Sequence, residues 1–185
     1  LHFKLINPSP TMSTYHHEQT EKIALAKHYQ SICENCSDEK LPENILSNGR
    51  VSIVVATLDH PEDLRHCLGH LTKLESSHEI EIIVVDNNPA SGLTPPVLKD
   101  FPGVVLVNEA RRGLAYARNA GFAACTGEIA IATDDDVTVP KDWLEKLVSP
   151  FSRSDVMAVT GNVLPIELEF PSQRLFELYG GLGRG

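Results

Sequence analysis

The chain has 185 residues, of which 42% are hydrophobic and 22% are charged, and its formal net charge is −9. This composition is typical of a globular protein with enough residues for one full domain and its core. The acidic balance argues against a nucleic-acid partner, because nucleic-acid binding needs a basic surface, and against electrostatic docking on anionic lipid. No stretch of about 18 apolar residues occurs, so no transmembrane segment is predicted, and the first residues are too polar for a signal peptide.

Four cysteines are present: Cys33, Cys36, Cys67 and Cys125. Cys33 and Cys36 have the spacing of a zinc-ligand pair, which His16, His17 or His28 could complete, but two reduced thiols on a polar helix are the favoured interpretation. Because no disulfide framework is visible, we expect a reduced, intracellular protein. The predicted location is the cytoplasm, either free or peripheral to the membrane.

Residues 1–48 differ from the rest of the chain. An amphipathic helix is predicted over 20–33, and a proline-containing break and an Asn-Gly turn separate it from the residues beyond 49. We interpret 1–48 as an N-terminal arm with one helix and no assignable chemistry. Residues 49–185 then form a separate domain.

From residue 50 onward, short apolar runs alternate with helical patterns. The predicted strands are 51–57, 81–86, 104–108, 129–133 and 156–161. The predicted helices are 61–71, 95–101, 114–124 and 140–148. This alternation predicts an α/β fold with a mostly parallel sheet and helices on both faces.

Polar residues end three of these predicted strands. Thr57 and Asp59 close the first strand, Asp86 closes the second, and three consecutive aspartates at 134–136 follow the fourth. The ligand crevice of an open parallel sheet lies beyond the carboxyl ends of its strands, so we expect these groups to share one site. Asp59 on its own fits equally well as an N-cap of the next helix.

The run of three aspartates indicates a cation site. Adjacent carboxylates raise one another's pKa unless a cation or hydrogen-bond donors compensate. In an extended chain Asp134 and Asp136 face one side while Asp135 faces the other. Two neighbouring carboxylates suit Mn²⁺ or Mg²⁺, which keeps room for phosphate oxygens. The simpler interpretation is a solvated acidic turn before the next helix.

The segment between the third and fourth strands carries basic and small residues. Gly113 and its small neighbours at a helix start would let backbone N–H groups approach an anion. Arg118 would offer a planar guanidinium to phosphate or carboxylate. Arg111 and Arg112 fit solvated surface positions equally well.

Four segments together resemble the family 2 glycosyltransferases, which are inverting enzymes of the GT-A nucleotide-diphospho-sugar transferase fold. The segments are VSIVVATLDHPEDL at 51–64, IVVDNN at 83–88, GLAYARNAG at 113–121 and GEIAIATDDDV at 127–137. The resemblance implies a nucleotide-diphospho-sugar donor and a carbohydrate, lipid-linked or protein acceptor. It also implies Mn²⁺ or Mg²⁺ as the cofactor.

The resemblance further implies roles for individual residues. Residues implied to bind the nucleotide sugar are Thr57, Asp59, Asp86, Arg118, Asn119 and Asp134, and Asp136 is implied to bind the metal. Asp86 would accept a hydrogen bond from the nucleobase, and Asp134 would lie near the ribose or sugar. The segment at 161–162 resembles the strand that borders the acceptor cleft.

The catalytic base cannot be identified from the sequence before Gly185. Family enzymes carry an Asp or Glu base well beyond the metal motif, and Glu167, Glu169 and Glu177 lack a comparable context. We therefore expect a donor-binding domain that is truncated at its C-terminus and lacks its acceptor half.

Two other classes of protein stay open at this point. A haloacid-dehalogenase-type phosphatase would use Asp134 and Asp136, although its two aspartates normally close the first strand of the domain. A non-catalytic sugar-nucleotide-binding module would share the same pocket. A dehydrogenase fits poorly, because no glycine-rich turn follows the first strand.

Overall fold

The computed structural model describes residues 49–180, and its centre is a four-stranded parallel sheet. The strands are β1 (Arg50–Thr57), β2 (Glu79–Asp86), β3 (Val105–Asn108) and β4 (Ile129–Asp134). Their order in the sheet is β3-β2-β1-β4, so the chain moves outward from β1 and then returns to its other side. A crevice at the carboxyl ends of the strands is expected where the direction of winding reverses, here between β1 and β4.

Five α-helices accompany the strands within residues 49–180. They are α1 (Pro61–Leu71), α2 (Thr94–Leu98), α3 (Leu114–Ala124), α4 (Trp143–Val148) and α5 (Pro171–Gly180). Short 3₁₀ turns occupy Pro89–Ser91 and Ser149–Ser152. The predicted strands and helices up to residue 134 are all present, with ends that differ by three residues or fewer.

Both faces of the sheet are covered by helices, as the sequence predicts. On one face α1 buries Leu64, Leu68 and Leu71 against β1 and β2, together with apolar side chains of α2 and α4. On the other face α3 packs Ala117 against Val54 and neighbouring strand residues. The α/β class with a parallel sheet is therefore confirmed.

A glycine allows α3 to approach the sheet closely. A Cβ atom added at Gly121 would lie 2.3 Å from Cγ1 of Val54 and 3.0 Å from Cγ2 of Val85. Both valines are fully buried and leave no room for a methyl group. Gly121 therefore sets the distance between α3 and the two central strands.

The predicted fifth strand over 156–161 is wrong. These residues have no strand structure, Met157 is 73% exposed, and their one backbone hydrogen bond of the turn type runs from Val156 N to the carbonyl of Arg153. The run of β-branched residues suits a strand, but a strand exists only when a neighbour supplies hydrogen-bond partners. No such neighbour lies beside these residues within the described part of the chain.

The helices after β4 also differ from the prediction. The helix predicted over 140–148 begins three residues later, at Trp143, whose N–H donates to the carbonyl of Pro140. Helix α5 was not predicted, although its proline start and its apolar residues are visible in the sequence. The predicted arm over 1–48, with its helix, Cys33 and Cys36, lies outside the described residues.

No helix within residues 49–180 is long and apolar enough to span a bilayer. Cys67 and Cys125 are free thiols. Burial raises the pKa of the Cys67 thiol to about 12, so this side chain stays protonated at neutral pH.

The close approach of α3 gives a stability prediction. Gly121→Ala is expected to lower the free energy of unfolding by about 1–3 kcal/mol, because the added methyl group overpacks the contact with Val54. Gly69→Ala on α1 is the matched control, since nothing lies within 4 Å of its added Cβ. That change should raise the free energy of unfolding by roughly 0.5–1 kcal/mol. Urea titration of both variants measures these values, and equal effects at the two glycines would contradict the packing account.

Candidate functional site

An open cleft of about 310 Å³ lies at the carboxyl ends of β1 and β4. Its polar lining includes Thr57 at the end of β1, His60 and Asp63 at the start of α1, Asn87 after β2, and the aspartates at 134–136 at the end of β4. In the sheet register Thr57 is opposite Asp86 and Ala56 is opposite Asp134. The strand ends predicted to meet do lie at one edge of the sheet.

The three consecutive aspartates occupy different environments. Asp135 is buried, accepts a 2.6 Å hydrogen bond from the Thr57 hydroxyl and lies 3.5 Å from Nδ1 of His60. Burial raises the pKa of Asp135 above its ordinary value, although the hydrogen bond from Thr57 opposes that shift. Asp134 and Asp136 are exposed on the cleft. The middle aspartate thus anchors the run to β1 and leaves the outer two accessible.

Thr57 lines the cleft, but its hydroxyl is already used within the protein. The residue is 3% exposed and donates its hydroxyl to Asp135. Its backbone carbonyl accepts the N–H of Asn87, which joins the ends of β1 and β2. Its observed contacts therefore position neighbouring groups.

Asp86 and Asp59 form a second acidic pair beside the cleft, bridged by Asn88. The Asn88 backbone N–H donates to Oδ1 of Asp86 at 2.9 Å, and its side-chain Nδ2 donates to Oδ2 of Asp59 at 2.7 Å. Asp86 is fully buried. Oδ2 of Asp86 and Oδ1 of Asp59 are buried without a hydrogen-bond partner among the described residues.

Asp59 also has an unusual backbone conformation. Its φ angle is +62°, and it is the one non-glycine residue with positive φ in the described chain. Such conformations are uncommon and concentrate at functional sites, where the surrounding structure maintains them. The simple role of an N-cap is not observed, because the residue preceding α1 is His60.

Of the two α3 residues implied to bind the donor, only Arg118 reaches this group of side chains. Its Nη2 donates to Oδ1 of Asp134 at 2.8 Å, while its buried Nε has no partner among the described residues. Asn119 is exposed on α3 and does not line the cleft. Of the implied residues, Thr57, Asp134 and Asp136 line the cleft. Asp86, Asp59 and Arg118 do not line it, and they join the group through the sheet register and hydrogen bonds.

Three polar groups at the site were not assigned from the sequence: His60, Asn87 and the Glu109–Arg111 pair. Arg111 donates from both Nε and Nη2 to the Glu109 carboxylate and lies 4.8 Å from the centre of the Tyr116 ring. These bonds lower the pKa of Glu109 to about 2. Two signals were visible in the sequence: the position of Asn87 directly after a strand end, and the opposite charges of Glu109 and Arg111 two residues apart. The contact of His60 with Asp135 is tertiary.

Asp134 and Asp136 fit the way a hard divalent cation is held next to a phosphorylated ligand. Mg²⁺ in such sites is typically bound by one or two carboxylates, with water and phosphate oxygens completing the octahedron. Within residues 49–180 no group of three or more His, Cys, Asp or Glu side chains lies close enough to bind a metal. The exposed carboxylates on the cleft are those of Asp63, Asp134 and Asp136, all of them oxygen donors, and the carboxylate of Asp134 is also paired with Arg118.

Residues 52–181 match the family model described as Glycosyl transferase family 2, and the chain belongs to this family. It is 32% identical over 145 residues to the pre-mycofactocin glycosyltransferase of Mycobacterium tuberculosis, which covers 75% of this chain and 29% of that protein. It is 31% identical over 121 residues to the glucosyl-dolichyl phosphate glucuronosyltransferase of Haloferax volcanii. This match covers 63% of the chain and 39% of that protein.

Among solved structures, the chain is similar to the mannosyltransferase PcManGT from Pyrobaculum calidifontis in complex with GDP-Man and Mn²⁺. The TM-score is 0.49 at 22% sequence identity, and the match covers 67% of this chain and 38% of the other. The chain thus spans well under half the length of these relatives. The family resemblance is confirmed, and the phosphatase alternative is set aside.

The Glu109–Arg111 pair gives a pH prediction. Glu109→Gln is expected to lower the melting temperature at neutral pH, because it removes the charged acceptor for two Arg111 donors. The folded pKa is depressed from 4.5 to about 2, so the stabilisation is fully present above about pH 4.5 and is lost as the pH falls toward 2. The difference in melting temperature between wild type and variant should shrink across that window.

The partner variant supplies the control for this measurement. Arg111→Gln should produce a similar loss with the same pH dependence, and the double variant should lose little more than either single one. A difference between wild type and Glu109→Gln that stays constant from pH 7 to about pH 2 would contradict the assignment.

Proposed function

We propose that this chain is the donor-binding part of a metal-dependent inverting glycosyltransferase, which transfers a sugar from a nucleotide-diphospho-sugar to an acceptor hydroxyl. The observation that carries the proposal is the unsatisfied carboxylate of Asp86. Its Oδ2 is fully buried and lacks a hydrogen-bond partner among the described residues. A buried acceptor without a donor costs free energy, so its presence favours a ligand that supplies the donor.

A nucleobase is the proposed source of this donor. Uracil, thymine and guanine each present ring N–H groups that can donate to a carboxylate, and the donated bond would be charge-assisted. Asp59 lies beside Asp86 through Asn88, and the side chains of Ser91 and Asn88 lower its pKa, which keeps a negative charge next to this position. We therefore assign the nucleoside end of the donor to Asp86 and Asp59.

The diphosphate end is proposed to lie beside the aspartates at 134–136. Asp136 is the proposed ligand of Mn²⁺ or Mg²⁺, and Asp134 with Arg118 is proposed to contact the ribose, sugar or phosphate. The bound cation would act as a Lewis acid that neutralises charge developing on the leaving diphosphate. Arg118 would reinforce this effect, since it keeps one buried Nε donor unused.

Inversion requires a base that removes the proton of the acceptor hydroxyl on the face of the sugar opposite the leaving group. Glu167 is exposed and accepts a hydrogen bond from Gln173, and neither Glu169 nor Glu177 lines the cleft. The base is therefore left unassigned.

A lipid-linked sugar is the acceptor class we favour, because the H. volcanii relative is named for glucosyl-dolichyl phosphate. Binding of the nucleotide sugar by Asn119 stays a prediction, and so does a cytoplasmic location.

The proposed metal ligand is tested by substitution. Asp136→Ala is expected to abolish Mn²⁺-dependent binding of UDP-, GDP- and dTDP-sugars alike, because the change removes an exposed carboxylate on the cleft. Asp155→Ala is the control, since Asp155 is exposed and pairs only with Arg153. Calorimetric titration measures the affinity of each variant for the nucleotide sugar in the presence and in the absence of Mn²⁺. Metal dependence that survives in Asp136→Ala would show that the ligand is assigned wrongly.

The proposed base contact has a separate readout. Asp86→Asn is expected to weaken binding of the preferred nucleotide roughly tenfold and to flatten the ranking across the three nucleotides, because it replaces a charged acceptor with a neutral one. Mn²⁺ dependence should be retained. The melting temperature without ligand should change little, because asparagine has nearly the same shape and keeps an oxygen for the Asn88 N–H. An unchanged nucleotide ranking would argue against this contact.

A further inference from the structure

Asn87 makes an unusual set of bonds for a residue just beyond a strand end. It is 3% exposed. Its Nδ2 donates to the backbone carbonyls of Glu109 at 3.0 Å and Arg111 at 2.7 Å, and its Oδ1 accepts the backbone N–H of Gly113 at 2.8 Å. A single side-chain amide thus satisfies three backbone groups of one five-residue segment, 109–113.

These bonds continue the connection between β2 and β3 after their ladder has ended. The last backbone link runs from the Glu109 N–H to the Asp86 carbonyl at 2.9 Å. On its other side, the Asn87 N–H donates to the Thr57 carbonyl at 3.0 Å. Asn87 therefore links the end of β1 to the segment that follows β3.

The segment that Asn87 holds determines where α3 begins. Gly113 has a φ of +138°, which favours glycine, and its carbonyl accepts the first helical bond from Ala117. Gly113 and Leu114 line the cleft beside Asn87. Arg111 packs over Tyr116 in the first turn of α3. Segment 109–113 therefore contacts α3 both through the Gly113 carbonyl and through the Arg111 side chain.

We propose that Asn87 is a positioning residue that holds segment 109–113, and with it the first turn of α3, as one wall of the donor cleft. This inference rests on the proposed function for the identity of the ligand. Asn87 acts through the backbone of the segment, to which both its Nδ2 and its Oδ1 are bonded.

The chemistry of the three bonds requires an amide. Two of them need N–H donors directed at carbonyl oxygens, and the third needs an acceptor. An aspartate of nearly the same shape would keep the acceptor but place an anionic oxygen next to two carbonyl oxygens. Asn87→Asp and Asn87→Ala are therefore the informative variants, and Asn87→Ser is the milder one if neither of them folds.

Ser52→Ala is the matched control. Ser52 is also fully buried on the adjacent strand, and its hydroxyl bonds Glu81 at 2.5 Å and the Gly127 N–H at 2.9 Å. It lies at the opposite end of β1 from the cleft. Loss of two buried hydrogen bonds there reproduces a general loss of stability without touching segment 109–113.

Two measurements test the proposal on folded wild type and variants. The first is the affinity for UDP-, GDP- and dTDP-sugars with Mn²⁺, which the Asn87 variants should weaken roughly tenfold or more while Ser52→Ala does not. The second is amide hydrogen exchange in the protein without ligand. The Gly113 amide should exchange roughly tenfold faster in Asn87→Ala, which removes its acceptor, and be unchanged in Ser52→Ala.

These outcomes decide whether Asn87 positions segment 109–113. Faster Gly113 exchange together with weaker donor binding supports the positioning role. Unchanged exchange, unchanged binding, or an equal loss of binding in Ser52→Ala would overturn it. If the wild-type chain bound no nucleotide sugar, the proposed function would fail, and the exchange of Gly113 alone would decide whether Asn87 holds this wall of the cleft.

Discussion

Parallel pairing of β1 with β2 on one side and with β4 on the other is the constraint on which the site depends. In this register Thr57 is opposite Asp86, and Ala56 is opposite Asp134. Neighbouring strands are separated by about 4.8 Å, so the pairing alone brings acids from separate parts of the chain to one edge. An antiparallel β2 or β4 would place its acid at the other end of the sheet.

The acids at this edge fall into two groups that differ in how the protein satisfies them. Asp135 is buried and bonded to Thr57, so it stabilises the connection between β1 and β4. Asp86 and Asp59 keep buried oxygens without partners among the described residues, and Asp134 and Asp136 stay exposed. The bonded Asp135 has a structural role. The other four aspartates leave oxygens that can accept hydrogen bonds or bind a cation. A site of this kind gives up some stability of the free protein in favour of binding.

Much of the fold could be predicted because the central strands β1 and β2 are almost entirely buried and therefore read as unbroken apolar runs, while β3 and β4 are more exposed but keep short apolar runs. The convergence of Thr57, Asp86 and Asp134 followed from strand direction alone. The error at 156–161 arose because a strand needs a neighbour that a local pattern does not reveal. The roles of Asn87 and His60 could not be predicted, since their partners lie 22 or more residues away in the sequence. Likewise, the exposure of Asn119 depends on how α3 is rotated against the sheet.

The central claim is that one cleft holds both a divalent cation and a nucleotide-diphospho-sugar. It is tested most directly by recording amide NMR signals with the nucleotide sugar while Mg²⁺ is replaced by Mn²⁺, which broadens the signals of nearby nuclei. The account predicts broadening of the amide signals of Thr57, Gly113 and Asp135. The signals of Ser52 and Gly127, which lie near the amino-terminal ends of the strands, should stay sharp. Sharp signals at the first three residues, or broadening centred on another part of the surface, would contradict it.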